Sequence, residues 1–221
     1  MLALHRMRQQ LVRFRVMQVN QLRGLLHEFG VVLPQGRRAS IKAANDAMAS
    51  LAHQSPAMPT DSRQDQLSRL LALDVQIQRI EQGFTEWRRG DEACCRISEI
   101  PGIGLLTATA AVAVIGNAQA FRSGRGFAAY LGLVQRQNSS GGRVKLGGIG
   151  KRGGVYLCTL LVHGARAVIS SSKHALERLR NMLARRPANV VAVALANKRA
   201  RTICALLADG RRYQTPAPMP A

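Results

Sequence analysis

Residues Ile97-Ser98-Glu99-Ile100-Pro101-Gly102-Ile103-Gly104, followed by the apolar run Leu105 to Ile115, decide how this chain is read. Proline cannot continue a helix, so a short helix entering from Cys94 ends at Pro101. Gly102 and Gly104 supply a tight turn, and a second helix, rich in Ala, Leu, Thr and Val, starts near Leu105. The segment is a two-helix corner with a glycine-rich turn. Its glycines let backbone come close to an anion, while the second helix aims unpaired N–H groups at it. That is the form of a helix-hairpin-helix, which grips a DNA backbone without reading its sequence, and it makes Pro101, Gly102, Ile103 and Gly104 candidate DNA contacts. A plain corner that binds nothing is the other reading.

Upstream of this corner the pattern is long and helical. Leu4, Met7, Leu11 and Phe14, then Leu22, Leu25 and Phe29, step three and four apart until Gly30, with Pro34 and Gly36 beyond. His53 to Ser62, with Pro56 and Pro59, reads as a loop. A second arm follows, with Leu70, Leu73, Ile77, Ile80, Phe84 and Trp87 on one stripe. Two such arms predict an antiparallel helical hairpin or an intermolecular coiled coil, and the sequence does not choose between them. Composition changes after Gly90, where glycines gather and acidic residues nearly vanish, so a domain boundary is expected at Gly90 to Asp91. A last helix is expected from Asn189 to Ala208, between Pro187 and Gly210, before a Pro-rich tail. The expected fold is therefore mainly α. It comprises a helical hairpin or coiled-coil region over 1–90, a compact helical domain over 91–212 and a disordered tail over 213–221, with room for a small β-ribbon around Arg143 to Ile149.

The chain has 221 residues, 47% hydrophobic and only 4% aromatic, which favours packed helices over a β-sandwich. Lys and Arg number 32 against 12 Asp and Glu, a formal charge of +20. From Arg122 to Arg212 there are 18 basic residues, opposed only by Glu177 and Asp209. Such a field draws phosphate backbones and releases their counterions; charge kept for solubility, or for an acidic membrane surface, is the alternative. The four cysteines form no C-x-x-C pair and the five histidines are scattered, so neither a zinc site nor a disulfide framework is expected, and a reducing cytoplasm is. The longest apolar stretch, Leu105 to Ile115, is too short to span a bilayer.

A second constellation runs from Phe121 through Gly-Arg-Gly-Phe-Ala-Ala-Tyr-Leu-Gly-Leu to Ser139-Ser140-Gly141-Gly142 and Lys151-Arg152-Gly153-Gly154. The Ser-Ser-Gly-Gly stretch places hydroxyls among Arg136, Arg143, Lys145, Lys151 and Arg152, with Arg122 and Arg125 earlier in the same run. A site of that kind can hold a phosphodiester and stabilise the charge that develops when a serine attacks it. A flexible Gly/Ser linker with solvated charges has the same composition, and the residues alone leave both readings open.

Taken together, Ile-Pro-Gly-Ile-Gly-x-x-Thr-Ala-x-Ala, Gly-Arg-x-Phe-Ala-Ala-Tyr-Leu-Gly-Leu, Ser-Ser-Gly-Gly, Lys-Arg-Gly and His-Gly-Ala-Arg-Ala resemble the C-terminal domain of insertion-sequence transposases of the IS110 and IS1111 type, also labelled IS116 and IS902. The stretches Arg185-Arg186-Pro187-Ala188-Asn189 and Ala194-Leu195-Ala196-Asn197-Lys198 fit the second subgroup, and Val19 to Leu26 resembles the family's helical linker. The chain departs from the usual pattern at Gln135, Gly150, Gly154, Cys158 and Cys204.

The resemblance implies an architecture in which a RuvC-like domain with metal-holding acidic residues precedes a helical segment and this C-terminal domain. It implies a serine nucleophile that forms a covalent phosphoserine link to DNA, a structured guide RNA encoded by the element, oligomers on DNA, and a bacterial cytoplasmic setting. Carried onto this chain, the nucleophile falls at Ser139 or Ser140, with Ser140, directly before Gly141, preferred. The expectation is a truncated transposase that opens inside the linker helix, holds no cofactor of its own and depends on a RuvC-like partner with its magnesium. A non-catalytic helix-hairpin-helix remnant or repressor that binds DNA or RNA is the rival.

Overall fold

The computed structural model describes residues 1–54, 60–140, 142–150, 153–171 and 177–214. Their packing divides into two units, Leu2–Gly83 and the residues from Phe84 onward, the latter joined by Met1. No helix among the described residues is long and apolar enough to cross a membrane.

The first unit holds α1 (Leu2–Glu28), α2 (Arg37–Gln54) and most of α3 (Thr60–Gly90). Arg15 Nη1 meets Asp74 Oδ1 at 3.0 Å and Arg8 Nη2 meets Glu81 Oε1 at 2.6 Å. A step of seven residues forward on α1 is thus a step of seven back on α3, so the two helices run antiparallel in heptad register. Leu22, Leu26, Leu33, Ala44 and Leu70 close a small core between the three helices. Burial also pushes the His5 imidazole down to about 4, with Arg8 adding to the effect.

The two-arm reading omits α2, which occupies half of the stretch between the arms. Its entry is set by Gly36, at φ +95°, and by the Ser40 hydroxyl donating to Pro34 O at 2.6 Å. Ile41 and Ala47 pack beside buried Ala44, a stripe stepping by three whose small residues give it little hydrophobic contrast. Residues 55–59 of the expected loop lie outside the described residues. Met7, Phe14, Met17, Leu71 and Val75 remain exposed on α1 and α3.

The second unit is mainly helical with one β-ribbon. It comprises α4 (Glu92–Ser98), α5 (Leu105–Ile115), a 3-10 turn at Ala118–Ala120, α6 (Gly124–Tyr130), β1 (Gln135–Ser140), β2 (Arg143–Ile149), α7 (Val155–Ser171), α8 (Glu177–Arg185) and α9 (Ala188–Asp209). The division between the units falls inside α3, whose last turns belong with α4. Asp91 caps α4 by accepting from Cys94 N at 2.8 Å.

α5 is apolar all round and buried along Thr107 to Ala111, as a central helix must be. The Thr109 hydroxyl, fully buried, donates to Leu105 O at 2.8 Å, so it leaves no unmet donor in the core. α7 contributes Leu157, Leu161 and Ala165; α9 contributes Ala192, Ala196, Ala200 and Ile203. The many alanines let helix axes approach closely, and Phe127 fills the remaining space between α6 and its neighbours. Gly210, at φ +69°, ends α9 in a left-handed cap and accepts from Arg96 Nη1 at 2.9 Å.

Candidate nucleic-acid interface

The β-ribbon of the second unit is exposed along most of its described length. Gln135 to Ser139 and Arg143 to Lys145 are all exposed, as are Gly147 and Gly148. β1 and β2 pair antiparallel with Ser140 opposite Arg143, and Gly142, just before the second strand, adopts φ +75°. The register shifts between Gln135 and Gln137, where one residue of β1 stands against Gly147 and Gly148, so the bulge lies in the second strand. Directly paired residues share a face: position 138 lies opposite Lys145 and position 140 opposite Arg143, whereas Ser139 lies opposite Val144. One face of the ribbon therefore carries backbone positions 138, 140, 143 and 145, and the other carries 137, 139, 144 and 146.

The Ser139 hydroxyl accepts from Gln137 Nε2 at 3.0 Å. Arg136 Nη2 donates to Gly150 O at 2.9 Å, tying the base of the ribbon to the segment that leads into α7. Arg143 and Lys145 form no ion pair among the described residues. The sequence carries no Asp or Glu between Glu99 and Glu177, so no carboxylate accompanies the ribbon's positive charge along this stretch of chain. Gly141, Lys151 and Arg152 lie outside the described residues.

The α4–α5 corner is built differently. Pro101 and Gly104 are exposed, but Ile103 is buried and Gly102 is half-buried. Gly102 adopts φ +81°, and a Cβ built on it would lie 2.5 Å from Gly164 O and 2.7 Å from Arg199 Nη1. A Cβ on Gly164 would in turn collide with Gly102 O. The turn is thus pressed against α7, backbone to backbone. The bare side of Gly102 faces protein, while the space beside Gly104 is open.

Beneath the same turn lies Arg199, 4% exposed. Burial lowers its guanidinium to about 10, with Tyr213 pulling the other way, so it stays charged at neutral pH. Its Nη1 is buried without a hydrogen-bond partner. An unpaired buried charge is costly, and its field acts on the turn through protein rather than water. Reading the sequence for clusters of exposed charge passes over this residue. Its signal is helical spacing: Ala192, Ala196, Arg199 and Ile203 step four, three and four along the buried stripe of α9.

Arg122 and Arg125 are exposed, the first just before the Ser123 cap of α6 and the second in its first turn. Arg125 and Arg201 of α9 line one groove. Among the described residues no group of three or more His, Cys, Asp or Glu side chains could hold a metal ion. The donors at hand therefore do not fit the divalent metal that the resemblance brings with its RuvC-like domain. Burial raises the thiols of Cys158 and Cys204, and burial together with Asp91 pushes Cys94 up to about 12, so these sulfurs are protonated and weakly nucleophilic.

Residues 94–180, which span the corner, α6, the ribbon and α7, match the family described as Transposase IS116/IS110/IS902. A "Probable family 20 transposase" of Pseudomonas aeruginosa is 45% identical over 217 residues, covering 96% of this chain and 64% of that protein. The transposase for insertion sequence element IS1111A of Coxiella burnetii is 36% identical over 96% of this chain and 59% of its own length. The transposase for insertion sequence element IS1328 of Yersinia enterocolitica is 38% identical over 95% of this chain and 63% of its own. The chain thus spans less than two thirds of the length of these relatives, and it belongs to the IS116/IS110/IS902 transposase family.

Proposed function

We propose that this chain binds DNA and serves in insertion-sequence transposition, with the β-ribbon as the element that meets the phosphate backbone and Ser140 as the nucleophile. The observation that carries this reading is a ribbon exposed on both faces that bears Arg136, Arg143 and Lys145, none of them in an ion pair among the described residues. A two-stranded ribbon has little stability alone in water, and a groove of duplex DNA admits one. A nucleic-acid partner would both neutralise and order it. Position 140 is favoured over 139 because the register puts it on the face of Arg143 and Lys145.

In the chemical step, the Ser140 oxygen bonds to phosphorus, and the bond from phosphorus to a deoxyribose oxygen breaks. The serine proton passes to water and the leaving oxygen takes one up. The neighbouring cations stabilise the charge that builds on the phosphoryl oxygens. The α4–α5 corner adds a second backbone contact at Pro101 and Gly104, above the buried charge of Arg199. Divalent-metal groups of a RuvC-like domain, a structured RNA and further copies of the chain complete the assembly in this reading. The exposed Met7, Phe14 and Met17 on α1 support the last of these.

Incubation of the chain with element-end DNA and its RuvC-like partner tests the reading by denaturing gel. We expect a covalent adduct in the wild type and in Ser139→Ala, and none in Ser140→Ala, with duplex affinity nearly the same in all three. An adduct that survives both substitutions removes the serine assignment. Salt-sensitive binding with no adduct in any form favours the non-catalytic binder.

A further inference from the structure

Between α6 and α9 lies an open groove of about 470 Å³, within the range of roughly 300–1,000 Å³ that holds small molecules. Its floor is small and apolar: Gly126, Ala128, Ala129 and Val134. Arg125 and Arg201 stand at it from the two helices, and Asn197 completes the lining.

The groove follows from one close crossing. A Cβ on Gly124 would lie 2.9 Å from Arg201 O and 3.0 Å from Arg201 Cα, so α6 meets α9 at backbone distance only because residue 124 is glycine. Arg125, the next residue, thereby lines the same groove as Arg201. Neither arginine forms an ion pair among the described residues. Asn197 Nδ2 donates to Leu133 O at 3.0 Å, which fixes the amide and leaves its oxygen as an acceptor.

Two planar guanidinium forks suit a phosphate. The flat aliphatic floor suits the face of a planar ring, and a fixed amide oxygen suits a ring N–H or exocyclic amine. We propose that the α6–α9 groove takes one unpaired nucleotide of a nucleic-acid strand, its phosphate held by Arg125 and Arg201 and its base laid on Gly126, Ala129 and Val134. A paired base presents neither a free face nor a free edge, so the nucleotide must leave the stack, and it does so most cheaply where it is already unpaired. This rests on the reading of the chain as a nucleic-acid binder.

The test compares binding of the full chain to an intact DNA duplex, the same duplex with a one-nucleotide bulge, and an RNA hairpin with the same bulge. The expected result is about tenfold tighter binding to a bulged strand, the gain that burying one base's apolar surface supports. The two bulged probes decide whether DNA or RNA supplies the nucleotide. Ala129→Leu, at an exposed helical position, fills the groove and should erase the preference while duplex affinity stays within about twofold. Arg125→Gln with Arg201→Gln should weaken all probes and the bulged ones most.

Equal affinity for bulged and intact probes overturns the proposal, as does a preference that persists in Ala129→Leu. Displacement of the bulged strand by oligoglutamate of matched charge would show an acidic-segment site instead and also overturn it. Duplex binding without any preference defeats this inference alone. Loss of all nucleic-acid binding defeats the reading it rests on as well.

Discussion

The α4–α5 corner and the β1–β2 ribbon are both rich in glycine, and from the sequence both offer themselves as cradles for phosphate. Folded, they use glycine for opposite ends. In the corner, Gly102 and Gly164 let two backbones touch, and the space a side chain would take is filled by Gly164 O and Arg199 Nη1. In the ribbon, Gly142 serves a turn through φ +75°, and a Cβ there would meet nothing within 4 Å. One glycine is demanded by packing and the other by chain direction. A substitution in the corner should therefore damage the fold, and one in the ribbon should damage only what the ribbon does.

The largest effect separating the two is expected at Gly164→Ala. Alanine is the better helix former, yet its methyl group would strike Gly102 O, so we expect a loss of about 3 kcal/mol in urea unfolding. Unchanged or raised stability would show that the corner is not pinned to α7, and the contrast would fail. Arg199→Met comes next. It removes a buried charge whose Nη1 has no hydrogen-bond partner, so stability should hold or rise by about 1 kcal/mol, while duplex binding weakens through loss of the field under the turn. A fall in stability with binding intact would make Arg199 a packing residue only. The smallest effect is expected at Gly142→Ala. Strain at a positive φ should loosen the ribbon but shift global unfolding by no more than about 0.5 kcal/mol, because the ribbon's contacts are few and exposed. A cooperative loss of the whole unit in that variant would mean that the ribbon is part of the core after all.

What the sequence made legible follows from periodicity and punctuation. α1, the later part of α3, α5 and α9 show through the spacing of Leu, Ile and Phe and through the stops at Gly30, Pro101 and Gly210. α2 was hidden because Ile41, Ala44 and Ala47 give a faint stripe. Only the second strand of the ribbon was anticipated, since Gln135 to Ser140 is wholly polar and has no buried face to set an alternation. The serines, the ribbon arginines and the corner were visible as motifs. The contact of Gly102 with Gly164 was not, because residues 62 positions apart leave no local trace of their meeting. Nor was the sharing of one groove by Arg125 and Arg201, which depends on how α6 crosses α9. Arg199 was countable as a charge, but that it faces inward is a fact of tertiary packing.

The central claim is that the ribbon meets a nucleic-acid backbone, and the salt dependence of duplex binding tests it most directly. Affinity of the full chain would be measured by fluorescence anisotropy at several salt concentrations, for the wild type and for Arg143→Gln with Lys145→Gln. Each phosphate contact contributes a slope of about −0.9 in log affinity against log salt, so losing two should flatten the slope by about 1.8. That result, with unfolding unchanged, is what the account predicts. A variant that binds more weakly or equally well but keeps the wild-type slope would contradict it, because the ribbon cations would then not be touching phosphate.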